Sequence, residues 1–264
     1  QMAAETAAEP VRTLPPVLNA RGHAVLEVKT YTATLNQGHV IAPEGGRIEA
    51  DGTVFQISDI TERPMLARIE LVSSSSLTAT LSLLDQEPFS FFSKAGQPYN
   101  LGDGRAELRS TLLMPIKPKI SLEEVEFNVE GRIVDFISPS LVAGRLLTSK
   151  EVKVLVNTEG LTLSGVGKLD EMPLDLTYLQ GFGPEQKGKA RINGTVILSD
   201  PILRDFGVEL PEGSVTGEGS AAIDVALVKD LPPQLTLTST LAGLGLRLDA
   251  LGWKKAAKTK GSLD

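Results

Sequence analysis

The chain has 264 residues, 41% of them hydrophobic, a mean hydropathy of +0.03, and 26 basic against 33 acidic side chains for a net charge of −7. That balance disfavours a nucleic-acid binder or a polybasic membrane-surface binder. The absence of cysteine excludes disulfides, thiolate metal sites and cysteine nucleophiles. No apolar run reaches 18 residues, so no spanning segment is read, and no signal peptide is present.

In chain order, "QMAAETAAEPVRTLPP" reads as a cut end or cloning remnant followed by a linker over 1–20, within a piece of something longer. Alternation then predicts strands. "SLTATLSLL" places Leu77, Ala79, Leu81 and Leu83 on one face, "EVKVLVN" does so for Val152, Val154 and Val156, and "PLDLTY" for Leu174, Leu176 and Tyr178. "AIDVALV" aligns Ile223, Val225 and Leu227, "QLTLTST" aligns Leu235 and Leu237, and "GLGLRLD" aligns Leu244, Leu246 and Leu248. A period of two makes one face of each strand apolar. Glycines and prolines interrupt these runs about every ten residues. Two short helices are predicted, "SPSLVAGRLL" over 138–147 and "DPILRDFG" over 200–207, each opening on a Ser or Asp cap before Pro.

Three segment pairs keep their order along the chain. "DGTVFQIS" and "EGRIVDFI" are 79 residues apart, "LDQEPFSFF" and "LDEMPLDLT" 85, and "GRAELRST" and "GKARINGT" 84. They suggest strand-rich units over 21–120 and 121–211, with a third beginning in 212–264 near "EGSVTGEGSAAIDV". Ordinary strand–turn coincidence is the competing reading. Pro88 and Pro173 then mark strand starts or bends. Asp85 and Asp170 are read as turn residues bonding local backbone, in preference to acid–base catalysts.

The remaining chemical candidates are weak. "GPEQKGKA" nearly fits a phosphate-binding loop, but Ala190 stands where the metal-binding hydroxyl belongs and the following residues read as a strand. His23 and His39 lie 16 residues apart without a carboxylate cluster, so no metal site is expected. Asn193-Gly194-Thr195 is a formal glycosylation sequon or a hairpin turn. Ser73 to Ser76 lack a nucleophile-elbow context and read as a turn. Trp253, Lys254, Lys255, Lys258 and Lys260 form a basic end, read as a solvated edge with an anionic-lipid contact as the alternative. No cofactor is expected.

Three stretches carry a family resemblance. "RPMLARIELVSSSSLTATLSLLDQEPFSFFSKAGQP", "VEGRIVDFISPSLVAGRLLTSKEVKVLVNTEGLTLSGVGKLDEMPLDLTYLQGFG", and "GSVTGEGSAAIDVAL" with "LTLTSTLAGLGLRLDALGWKK" resemble the AsmA-like superfamily of bacterial envelope proteins. The likeness is to its YhdP-type branch, related to TamB-like lipid transport proteins, and spans about residues 45–255. The resemblance implies a periplasmic, curled β-sheet with an apolar groove, in a parent protein anchored in the inner membrane by an N-terminal helix absent from this chain. It implies phospholipid carriage towards the outer membrane, outer-membrane proteins as further partners, and no catalytic residues.

The fold class expected is all-β with few short helices, an elongated and strongly curled sheet of repeated strand-rich units. The residues themselves leave two outcomes for its apolar face: an open trough suited to acyl chains, or a closed core in a β-sandwich scaffold or protein-binding module. A glycosidase-like enzyme, needing a carboxylate pair in a cleft, is the third class weighed. Low aromatic content, 5%, suits lipid better than sugar. Val152, Val154, Val156, Leu161, Leu163, Leu174 and Leu176 are the candidate lipid-contacting residues.

Overall fold

The computed structural model describes residues 15–262, apart from 88, 89, 97, 119, 122, 123, 206 and 209. About 60% of the chain is strand and 10% helix, so the fold is all-β with a few short helices. Thirteen strands form one antiparallel sheet, and three more form a small second sheet. The chain divides into two compact units, one ending at Leu141 and the other beginning at Val142.

The first unit contains β1 (Leu18–Glu27), β2 (Thr30–Ile41), β3 (Arg47–Glu49), β4 (Thr53–Ile57), β5 (Met65–Ser76), β6 (Asp103–Ile116) and most of β7 (Glu126–Val142). Register places Ala33 of β2 opposite Phe55 of β4, Phe55 opposite Ile69 of β5, Ile69 opposite Leu112 of β6, and Leu112 opposite Phe127 of β7. Directly paired residues share a face, so these side chains line one apolar surface. The intervening positions, such as Gln56, Arg68 and Asn128, line the other. Helix α1 (Leu77–Leu84) packs beside β3, where Ala79, Ala42 and Ile48 are buried together.

The second unit contains β8 (Arg145–Asn157), β9 (Gly160–Leu169), β10 (Met172–Gly181), β11 (Lys189–Leu198), the small strand β12 (Val215–Gly217), β13 (Gly219–Val228) and β14 (Gln234–Thr238). Strands β8 to β11, β13 and β14 are sheet neighbours in that order. Helix α3 (Asp200–Asp205) links β11 to β12; an earlier short helix, α2 (Phe91–Ala95), follows α1 in the first unit. β12 pairs with β15 (Leu244–Leu248), and β15 with β16 (Trp253–Lys255), to form the small sheet.

Several expectations need correction. The stretch expected as a strand at Leu77 to Leu83 is α1. Ser76 caps it, its hydroxyl accepting from the Ala79 amide at 3.1 Å, and so short a leucine-rich segment contains apolar residues at both helical and strand spacing. The helix expected over 138–147 is instead the end of β7, a two-residue turn at Ala143 and Gly144, and the start of β8. Gly144 takes the left-handed conformation that the turn requires (φ 71°). The expected equivalence of the two Leu-Asp segments is not seen. Leu84 and Asp85 end a helix and lead towards α2, whereas Leu169 ends β9 and Asp170 begins the two-residue turn into β10. Pro88 and the opening stretch 1–14 lie outside the described residues.

Ser73 to Ser76 close β5 and are not a turn. Asn193-Gly194-Thr195 lies within β11, paired with Thr177, Leu176 and Asp175, and is not a hairpin turn. Lys255 is not part of a solvated edge: it is 8% exposed. Its ammonium donates to the carbonyls of Leu241 at 2.6 Å, Leu244 at 2.8 Å and Ala256 at 3.3 Å.

Candidate functional site

Alternation along β8 to β14 builds one apolar face in the second unit. Val154 pairs with Leu163 and Val156 with Leu161 across β8 and β9. Leu163 pairs with Tyr178 across β9 and β10. Tyr178 pairs with Ile192 and Leu174 with Val196 across β10 and β11. Ile192 pairs with Val225, Val196 with Ala221, and Val225 with Leu235 across the last strands. All seven sequence-predicted residues lie on this face; Val152 joins it by alternation with Val154, beside a register shift between Ser149 and Lys153. The opposite face carries Lys153, Asp175, Thr195 and the bidentate Arg191–Asp224 pair, with N–O distances of 2.5 to 3.0 Å. A depression on that side is lined by Leu179, Lys189, Arg191 and Asp224 among others.

The apolar face has two unlike ends. At one, Met172, Leu174, Val196, Leu198 and Ala221 are roofed by Ile202 and Leu203 of α3, Val215 of β12, and Leu244 and Leu246 of β15. Leu244 is 1% exposed and Leu174 8%. At the other end the side chains lie outside that buried cluster. Val156, Leu161, Leu163, Ile192, Val225 and Leu227 are half-buried there, and Leu235 is 62% exposed. The seven predicted residues therefore split. Leu174 belongs to the roofed core, Val154 is buried at 8% exposure, and Leu176 packs against the core while half-buried. Val152, Val156, Leu161 and Leu163 are half-buried.

A charged clamp holds the roof. The Arg145 guanidinium, at the start of β8, donates to Asp170 Oδ2 at 2.9 Å, Asp205 Oδ2 at 3.0 Å and the Asp205 carbonyl at 2.6 Å. Asp205 ends α3, so Arg145 ties that helix to the β9–β10 turn. Asp170 Oδ1 also accepts from the Leu146 amide at 2.8 Å. This bond first, and Arg145 second, hold the Asp170 carboxyl below its ordinary value. The turn assignment for Asp170 stands (φ 52°), but its backbone partner is on the neighbouring strand and not local.

Asp85 caps α2, accepting from the amides of Phe92 at 3.0 Å and Ser93 at 2.7 Å and from the Ser93 hydroxyl at 2.5 Å. The Ser93 bonds, hydroxyl first, lower its carboxyl. Both aspartates are thus engaged in fixing backbone. Among the described residues no group of three or more His, Asp or Glu side chains is placed to hold a metal ion, and no helix is long and apolar enough to cross a membrane.

Sequence reasoning overlooked one polar feature on the apolar face. Tyr178 is half-buried, and its hydroxyl donates to Gln180 Oε1 at 2.8 Å. Burial pushes the phenol above its ordinary value. The alternation Leu174, Leu176, Tyr178 was the available signal, and extending it by two reaches Gln180.

No family model matches the chain, and no match is found among curated proteins or solved structures.

Proposed function

We propose that this chain is a periplasmic lipid-binding and lipid-transfer segment of an inner-membrane-anchored envelope protein, carrying phospholipid acyl chains on its apolar β surface towards the outer membrane. The observation that supports the reading is the split of the apolar face of β8 to β14 into a buried cluster and a stretch of half-buried aliphatic side chains outside it. A sheet with an apolar face needs a cover, and in the second unit α3, β12 and β15 pack over one end. Each methylene buried contributes about 0.8 kcal/mol. Ten would contribute about 8 kcal/mol, the scale of a micromolar Kd before ordering costs. Aliphatic side chains supply such contacts without directional demands, which suits chains of varied unsaturation. In this reading the segment is non-catalytic: its aspartates fix turns and caps, and its chemistry is transfer between water and an apolar surface.

The roofed end supports a second reading, a packed scaffold or protein-binding module whose face is simply core. Lipid extraction and mass spectrometry of protein purified from bacterial envelopes separate the two. The lipid reading expects stoichiometric phospholipid that survives purification and drops when Leu161→Asp is introduced. Lipid-free protein, or lipid content indifferent to that change, would overturn it.

A further inference from the structure

Tyr178 and Gln180 are polar side chains on a surface otherwise built from Val, Leu and Ile. Tyr178 lies directly across from Leu163 on one side and Ile192 on the other; Gln180 lies across from Leu161. A hydroxyl and an amide at such a position are costly unless partnered. They partner each other, since the Tyr178 hydroxyl donates to Gln180 Oε1. That bond fixes the amide and leaves its nitrogen, a donor of two hydrogens. Among the described residues Gln180 Nε2 donates to no acceptor, and no polar side-chain atom is both buried and unpartnered. The nitrogen is therefore not buried, and it lies beside half-buried aliphatic side chains outside the roofed cluster. A donor held there suits a ligand that is hydrocarbon along most of its length and carries an acceptor where the hydrocarbon stops.

Resting on the lipid reading above, we propose that Gln180, oriented by Tyr178, is the polar stop of the face. Its amide donates to an ester carbonyl of a bound glycerolipid whose acyl chain lies over Leu161, Leu163, Leu176 and Ile192. The half-buried phenol keeps the amide from rotating, so the nitrogen rather than the oxygen meets the ester. Free hydrocarbon would bind the same floor without using the pair.

The test compares a short-chain diester phosphatidylcholine with its diether analogue, which lacks the carbonyls, by calorimetric titration of the full chain. The apolar probe N-phenylnaphthylamine reports on the floor independently. Wild type is expected to favour the diester roughly three- to ten-fold, the range that one neutral hydrogen bond supplies. Gln180→Leu and Gln180→Glu should both abolish that preference by weakening the diester alone, with probe binding kept. Tyr178→Phe should reduce it in part. Equal affinity of wild type for the two lipids, or a preference that survives both Gln180 variants, overturns the assignment while leaving the lipid reading standing. Wild type that binds neither lipid nor probe overturns both.

Discussion

A carboxylate moved along the apolar face should cost very different amounts at its two ends. Leu174 sits under the roof, 8% exposed, in a cluster with Met172, Val196, Leu198, Ile202, Val215 and Leu244. Leu174→Asp forfeits about 2 kcal/mol of apolar burial. A buried carboxyl rises by roughly 3–5 pH units, at 1.36 kcal/mol each. At pH 7, about three units above the unfolded value, that adds about 4 kcal/mol, for a total near 6 kcal/mol. This rivals the whole stability of an ordinary domain, about 5–15 kcal/mol. Leu161 is half-buried and outside that cluster; a carboxylate that keeps its water there should cost only about 1 kcal/mol of partial burial in Leu161→Asp. Urea unfolding followed by circular dichroism measures both. The pH dependence has a definite sign. The buried carboxyl is raised in the folded state, so the Leu174→Asp deficit falls to the roughly 2 kcal/mol of lost apolar burial below about pH 4 and grows as pH rises towards the folded value. Equal losses at the two positions, or a Leu174→Asp deficit independent of pH, would refute the distinction between the ends.

Other expected outcomes follow from single contacts. Asp170→Asn keeps the left-handed turn that Asn tolerates but removes a carboxylate held low by the Leu146 amide and Arg145. Stability that wild type has above the ordinary carboxylate value of 3.8, and loses as pH falls through the lowered folded value, should be missing from the variant, as acid melts from pH 5 downward will show. Lys255→Met strands the carbonyls of Leu241 and Leu244 and should cost about 1–3 kcal/mol in chemical denaturation. Gly194→Ala should cost more than about 1 kcal/mol, because a Cβ there would lie 2.0 Å from the Asp175 carbonyl oxygen on the paired strand at φ 152°; amide exchange should show β10 and β11 opening first.

Alternation made much of the second unit legible. Val152 to Val156, Leu174 to Tyr178, Ile223 to Leu227 and Leu235 to Leu237 all lie in strands with the expected side facing one way. The failures have local causes. In α1 Leu77, Ala79, Leu81 and Leu83 fit a strand while Leu77, Leu81 and Leu84 fit a helix, and Ser76, read as part of a serine turn, is the cap that decides. At 138–147 the Ser-Pro pair resembled a helix start. Ser138 is instead buried in β7, its hydroxyl donating to the Leu101 carbonyl at 2.5 Å, and Ala143 with Gly144 makes the turn. Which end of the apolar face is roofed was not legible at all. The roof comes from α3, β12 and β15, spread over residues 200–248, and their docking depends on non-local packing that no periodicity encodes. The candidate residues share one face by register, and they mix core positions such as Leu174 with half-buried ones such as Leu161.

The most direct measurement of the central claim is photocrosslinking in bacterial cells with benzoylphenylalanine at two neighbouring positions of β8. Val156 is on the apolar face and Leu155, 53% exposed, is on the opposite one. The account predicts lipid adducts, identified by mass, from position 156 and none above background from position 155. Adducts at neither position, or equally at both, would contradict it.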